Sequence, residues 1–344
     1  MRVGIAGFGF GRRHAEVVYR LPDVELIIAE PDAERRRQAE AQFPDASVMS
    51  DGGSLITDGG LDCVLIVSAS HTHAELSRTA ITAGVPVFSE KPLALTIDEA
   101  RSLRDLARER NVIYQAGYIL RYETRHQMLF EEIRERRSVG DVRLITSKRN
   151  CSRSWFEAWG RHSHPVWEAM VHDIDLILWL TGQRCIRVSA WAQTTLGGPA
   201  PETFVACLEM EYGALALLQS SWLVPRGAPK NISGASDAPD TAAGTVDAHL
   251  DVLGSEGSAG LSWYEPSLTV TTDSEVLVPD HGMFPITGSG VGGALRDEIV
   301  DFIAQVRGEV DSTVASIDDA VQVQAIAEAL LRAAESGEAI VIEA

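Results

Sequence analysis

The short apolar run Val3-Gly4-Ile5-Ala6 passes straight into Gly7-Phe8-Gly9-Phe10-Gly11, and residues 12–20 then carry a helical pattern. A strand, a glycine-rich turn and a helix in immediate succession leave a chain few folds. Glycines let the backbone approach an anion, and a helix start offers unpaired N–H groups and the positive end of a dipole. The spacing departs from G-x-G-x-x-G: Gly7 and Gly9 fit, Arg12 stands at the third position, and Gly11 comes one residue early. The loop therefore reads either as an ordinary strand–helix turn or as a pyrophosphate cradle built from Gly7, Phe8, Gly9, Phe10 and Gly11.

The same theme then repeats. A second strand, residues 24–29, ends at Glu30, about 20 positions beyond the glycines, where an acidic residue binds the adenosine ribose. Glu30 can accept hydrogen bonds from a free 2′-hydroxyl but would repel a 2′-phosphate, which favours NAD over NADP. The plainer alternative is a turn opened by Glu30-Pro31-Asp32, and Arg35, Arg36 and Arg37 keep NADP open. A third unit runs through the glycine-rich, poorly patterned residues 51–60 into Cys63-Val64-Leu65-Ile66-Val67 and then Ser68-Ala69-Ser70-His71-Thr72-His73. Two histidines at this spacing admit a metal, but no Cys or carboxylate joins them as a ligand set usually requires. No metal is expected, and the other reading puts Ser68 and His73 beside a cofactor.

Residues 85–88 form another apolar run, which delivers Ser89-Glu90-Lys91-Pro92-Leu93 to a strand's carboxyl end, where open α/β sheets place ligands. Glu90 and Lys91 thus join the cofactor candidates, against the alternative of a solvated Lys at a strand end. Thr96-Ile97-Asp98-Glu99 is a capping box that opens a helix to residue 110, followed by a strand at 112–116. Such repetition predicts a doubly wound parallel sheet.

After Gly117-Tyr118 the pattern changes. Residues 121–137 read as an amphipathic helix and 142–148 as a half-buried strand. The polar and aromatic stretch 149–165 holds Arg153, Trp155, Trp159, Arg161, His162 and His164. A helix over 166–180 follows, with Gly182 near its end. Within it Glu168 and His172 stand four apart on one face, and Asp175 lies three further on. A carboxylate beside an imidazole orients the ring and stabilises its cation, as general-base chemistry requires. An ordinary helical pair on a wet face is the alternative.

From Cys185 onward the chain is β-rich, with strands expected at 184–193, 204–211, 214–223 and 248–253 in a mostly antiparallel open sheet. Residues 225–244 read as a mobile loop whose role is left open. Helices at 293–307 and 317–336 and a strand at 340–342 complete the chain. The expected class is α/β: an N-terminal Rossmann doubly wound parallel sheet over 1–118, then a C-terminal α+β domain over 119–344 with a large, mostly antiparallel open sheet.

Composition agrees. A length of 344 residues suits about two domains. No apolar run approaches the roughly 18 residues of a membrane span, and no secretory signal precedes the first strand. Cys63, Cys151, Cys185 and Cys207 lack paired spacing, which fits a reducing cytoplasm. A formal net charge of −19 argues against nucleic acid, whose binding depends on cationic contacts to phosphate.

Taken together, Gly7 to Gly11 with His14-Ala15, Ser70-His71-Thr72-His73, Glu90-Lys91-Pro92-Leu93, Gly117-Tyr118, Glu168-Ala169-Met170-Val171-His172-Asp173-Ile174-Asp175 and Leu295-Arg296-Asp297-Glu298-Ile299 form a specific series. In this order they resemble the glucose–fructose oxidoreductase / inositol dehydrogenase / MocA-like family over nearly the full length. The resemblance implies nicotinamide-dependent oxidation or reduction of a secondary alcohol or ketone of a sugar, amino sugar or cyclitol. It also implies an open sheet that binds substrate and often mediates homo-oligomers, dimers or tetramers.

The family's catalytic Lys falls on Lys91, followed by a proline that is commonly cis. Its active-site His falls on His172, and its acidic partner, usually Asp, on Glu168, one methylene longer. His172 steered by Glu168 is then the base and Lys91 the cation that stabilises developing alkoxide, or Lys91 is itself the proton acceptor. Lys91, Tyr118, Arg121, Arg153, Trp155, Arg161, His162, His172 and Asp175 are the substrate-contact candidates. Trp191 and Trp222 are expected as interface anchors or core. A non-catalytic NAD-dependent sensor and an NAD-dependent glycosidase are the competing readings of the same chain.

Overall fold

The computed structural model describes residues 1–158, 160–232, 243–263, 268–271, 276–278, 280, 282–288, 290–311 and 314–342. They fall into two compact units, Met1–Tyr122 with Met283–Gln324 and Glu123–Gly282 with Ala325–Ala344. Each is discontinuous in sequence, whereas the sequence suggests a single boundary after Tyr118. A buried polar network accounts for much of the difference. Gln115 accepts from Gln305 Nε2 at 2.8 Å, and Tyr122 donates to Asp301 at 2.6 Å. The helix Gly293–Val306 is thereby held in the first unit.

The first unit contains β1 (Arg2–Ala6), β2 (Glu25–Ala29), β3 (Ser47–Met49), β4 (Cys63–Ile66), β5 (Val87–Glu90) and β6 (Tyr114–Gly117). They form one parallel sheet in the order β3-β2-β1-β4-β5-β6, a doubly wound arrangement. A parallel sheet covered on both faces needs apolar side chains on both, which is why Cys63–Ile66 is buried throughout rather than alternating. The helices α1 (Gly11–Tyr19), α2 (Ala33–Gln42), α3 (Gly52–Asp58), α4 (His73–Thr82) and α5 (Ile97–Arg110) connect the strands. The unpatterned stretch around 51–60 includes a helix after all. Asp51 caps it by accepting the Ser54 N–H at 2.6 Å. Because every strand runs the same way, Gly7, Glu30, Ser68, Lys91 and Tyr118 all emerge on the side of the sheet formed by the carboxyl ends of its strands.

The second unit contains β7 (Val142–Ser152), β8 (Cys185–Gln193), β9 (Thr203–Met210), β10 (Leu215–Val224), β11 (Val246–Gly254) and β12 (Ser258–Ser262). Among the described residues the sheet order is β12-β11-β7-β10-β9-β8, with Ile340–Val341 at the far edge. All neighbours pair antiparallel except β7 with β10. Burial alternates along β9 and β10, so one face is core and the other is open. Trp222 lies on the inner face at 2% exposure, which removes it from the interface candidates, while Trp191 stands out at 62%. Leu215, Leu217 and Val205 are also exposed.

Two helices differ from expectation. Residues 121–137 do not form one rod. The 3₁₀ turn Ile119–Tyr122 comes first, then α6 (Thr124–Phe130), then the π-helical Glu131–Glu135. Glu123 explains the break, because its carboxylate accepts the N–H groups of Arg125 and His126 and so starts a new helix. After the short α7 (Arg153–Ala158), 166–180 likewise opens as a π-helix, Val166–Met170, before α8 (Val171–Thr181). Gly182 ends α8 in the left-handed conformation, φ 60°. Residues 233–242 of the expected mobile loop lie outside the described residues, as does Trp159. No described helix is long and apolar enough to cross a membrane.

Candidate active site

In the first unit the glycine-rich turn is packed from below. Gly7 has φ +102°, and a Cβ there would lie 2.5 Å from Ser68 Cα, so only glycine fits. A Cβ on Gly11 would meet Val67 Cγ2 at 2.4 Å. No side chain caps α1 and no acidic residue occupies its first turn, which leaves a helix start suited to an anion. These features fit a dinucleotide pyrophosphate. Glu30 is buried at the end of β2, where Oε2 accepts the Phe8 N–H at 2.7 Å and Oε1 the Asp32 N–H at 3.0 Å. It therefore shapes the turn, and a carboxylate retains further lone pairs for ribose hydroxyls. A Cβ on Gly9 would lie 3.4 Å from the Arg35 guanidinium, whereas Arg36 is tied to the Glu30 and Pro31 carbonyls.

Two loops are clipped together beside this turn. His73, buried at the start of α4, places Nδ1 2.8 Å from the Pro92 carbonyl and Nε2 3.0 Å from that of Ser68. His73 is thus occupied by backbone oxygens, while His71 is exposed. The Lys91–Pro92 peptide is cis. Lys91 is half-buried, and its own N–H donates to Glu90 Oε2 at 3.2 Å. Burial pushes the Glu90 carboxyl up, but His14 with Lys91 and His73 outweighs it, and the net shift is downward. The structure thus brings together Gly7, Phe8, Glu30, Ser68, His73, Glu90 and Lys91.

Tyr118 follows β6 and is buried. Arg121, expected as a substrate contact, is also buried and already engaged. Its Nη1 donates to the Val314 carbonyl at 2.6 Å, and Nη2 lies 3.4 Å from Asp319. A guanidinium held this way serves the fold.

In the second unit the segment carrying Glu168 is pinned at both ends. His164 Nδ1 accepts the Val166 N–H at 3.2 Å, and burial holds that imidazole down at about 4, so the lone pair stays available. Ala169 belongs to a buried cluster with Cys151, Phe156 and Trp222, and Trp155 packs against it. Trp155 in turn covers Gly244, where a Cβ would fall within 2.2 Å of the indole. Arg161 is exposed, with its guanidinium 5.9 Å from the Phe156 ring centre, and His162 is exposed beside it. Arg153 and His172 are half-buried, and Asp175 is fully buried. Val166–Met170, which carries Glu168, is π-helical, and His172 stands in the first turn of the α-helix that continues it. Single π-helical turns occur frequently at functional sites.

Sequence reasoning missed Asp173, the residue after His172. It is buried and accepts both Nε and Nη2 of Arg149, at 2.9 and 3.0 Å, while Ser147 Oγ donates at 2.8 Å. The available signal was Arg149 itself, which shares the inward phase of β7 with Ser147 and so requires a buried partner.

A family model for an oxidoreductase family with an NAD-binding Rossmann fold matches residues 1–118, and that family's C-terminal domain, GFO/IDH/MocA, matches 130–260. The chain belongs to this family. Among GFO/IDH/MocA relatives, inositol 2-dehydrogenase 1 of Saccharopolyspora erythraea is 30% identical over 195 residues, 55% of this chain and 57% of the relative. The chain thus matches little more than half the length of that relative. UDP-N-acetylglucosamine 3-dehydrogenase of Acidithiobacillus ferrooxidans is 28% identical over 225 residues, 65% of this chain and 68% of its own. The crystal structure of scyllo-inositol dehydrogenase from Lactobacillus casei, with bound NAD(H) and scyllo-inositol, superposes with a TM-score of 0.82 at 19% identity, covering 99% of each chain. That likeness shows the shared two-domain fold.

Proposed function

We propose that this chain is an NAD-dependent dehydrogenase acting on a secondary alcohol or ketone of a sugar, amino sugar or cyclitol. The observation that carries the reading is Lys91 at the carboxyl end of β5, in a loop that His73 ties to the cofactor side of the sheet. Gly7 to Gly11, Glu30, Ser68 and His73 would hold the dinucleotide. When bound, NAD supplies the hydride acceptor. His172, oriented from the Glu168 segment, takes the hydroxyl proton, and the Lys91 ammonium stabilises charge developing on that oxygen. The names of the relatives, an inositol dehydrogenase and a UDP-sugar dehydrogenase, support a polyhydroxylated ring as substrate. Tyr118, Arg153, Trp155, Arg161 and His162 are the contact candidates that remain.

The test is incubation with NAD⁺ and a panel of inositols, hexoses, amino sugars and UDP-sugars, following NADH absorbance and any released aglycone. NADH formation with at least one polyol and no aglycone is expected. Tight NAD binding with no turnover on any member would favour a sensor, and aglycone release a glycosidase.

Cofactor choice gives a separate expectation. Glu30→Ala removes the charge that opposes a 2′-phosphate and a charged hydrogen bond of roughly 1.5–3 kcal/mol, so the NAD/NADP affinity ratio should fall by about tenfold or more. It also frees the Phe8 N–H, so NAD affinity should fall in absolute terms. Fluorescence titration measures both, and wild-type protein that prefers NADP would refute the role given to Glu30.

A homo-oligomer is part of the same proposal. The open face carries Trp191, Val205, Leu215 and Leu217 exposed beside the Arg187–Glu209 ion pair, a mixed surface suited to a second copy. Light scattering should report a dimer or tetramer, and a monomer at micromolar concentration would remove the idea.

A further inference from the structure

Two buried histidines and a half-buried carboxylate surround the strand end that carries Lys91, and the mechanism above uses none of them for proton transfer. His14, with no exposed surface, lies on α1 one turn beyond the glycine-rich loop, and its Nε2 is 3.3 Å from Glu90 Oε1. The other oxygen, Oε2, receives the Lys91 N–H at 3.2 Å. The carboxylate thus folds back over its own strand end instead of extending outward. Gly117 on β6 makes room for it, since a Cβ there would lie 3.1 Å from Glu90 Cα and 3.3 Å from Cδ and Oε2. The ring of His14 is itself wedged between Phe10 and Phe88, with centroids at 5.4 and 5.9 Å. The charged or titratable groups facing Glu90 are His14 from α1, Lys91 from the strand end and His73 from α4.

We propose that Glu90, braced by His14 and given room by Gly117, is a positioning residue that fixes the backbone from which the Lys91 side chain projects. This rests on Lys91 being a reaction-centre residue, as proposed above, and assigns Glu90 a role beyond cofactor contact. A carboxylate bonded to the N–H of the next residue restricts the backbone from which that residue's side chain projects. Through His14 the arrangement is anchored to α1, the helix that follows the glycine-rich turn.

The first experiment needs no substrate. Lysines occur only at 91, 148 and 230, so brief acylation with an N-hydroxysuccinimide ester, read by peptide mass spectrometry, compares Lys91 with two internal references. Glu90→Ala removes the acceptor of the Lys91 N–H and the contact with His14, so Lys91 is released from its half-buried position and its acylation relative to Lys148 and Lys230 should rise about three- to tenfold. An unchanged ratio in folded protein overturns the proposal. If Glu90→Ala does not accumulate, His14→Gln takes its place: release of the brace should raise the same ratio, and no change again overturns it. Turnover is read separately in the substrate panel, where Glu90→Ala should lower kcat on the order of 10²-fold, the penalty of a misplaced catalytic group. A kcat within about twofold of wild type would overturn the positioning role, since a displaced group costs far more. Wild-type protein that turns over no polyol would instead refute the proposed function, with the labelling result still deciding whether Glu90 controls Lys91.

Discussion

Lys91→Met should lower kcat by about 10²- to 10⁴-fold while leaving NAD affinity nearly intact, because methionine keeps much of the side-chain length and loses the charge. His172→Gln retains hydrogen-bonding capacity without a titratable base and should act on kcat to a similar extent. Both groups are proposed to serve one proton transfer, so the double variant should be far less impaired than the product of the two losses. Steady-state kinetics with the best substrate of the panel, together with NAD titration, checks all three statements. Lost NAD binding in Lys91→Met would make it a cofactor residue. Full activity in either single variant would remove that residue from the chemistry, and simple multiplicative losses would mean that the two act independently.

The second large effect concerns stability. Asp173→Ala should destabilise the second unit by about 3–5 kcal/mol, because it leaves the buried Arg149 guanidinium unpaired. The loss comes from stranding a charge, so the double variant Arg149→Met with Asp173→Leu should recover most of it. Urea unfolding followed by tryptophan fluorescence reports the change, and an Asp173→Ala midpoint equal to wild type would show that the pair is dispensable. Ser147→Ala should cost far less, on the order of 1 kcal/mol, because it removes one hydrogen bond to a carboxylate that keeps its Arg. Since Asp173 follows His172 directly, the clamp also fixes the start of α8, from which His172 projects.

Much of this architecture is local and therefore legible in the chain. Short apolar runs covered on both faces, a capping box at Thr96 and glycines after the first strand each follow from backbone sterics or from burial at a fixed period. That is why the parallel sheet, the strand ends carrying Glu30 and Lys91, and the helix 317–336 were readable without coordinates. Alternation along the later strands likewise separates the phase of Trp222 from that of Trp191. Which phase is core depends on what covers the sheet, and periodicity carries no information about that.

The remaining features depend on residues far apart in sequence. Arg121 looks like a free cation beside an active-site motif until Asp319, nearly two hundred residues later, is brought to it. Arg149 and Asp173 look like unrelated charges until β7 and α8 pack. The π-turn that carries Glu168 has no spacing signature, because an i, i+4 pattern is written identically in either helix. His14 reads as a helix residue and Glu90 as a strand end. Folding β1, α1 and β5 together makes them a pair, since a carboxylate drawn partly out of water takes its partner wherever the packed chain provides one. The sequence by itself determined the strands, the order of the motifs and the chemistry its residues can perform. Tertiary packing decided which charged groups are committed to the fold, because that depends on burial and pairing across long separations.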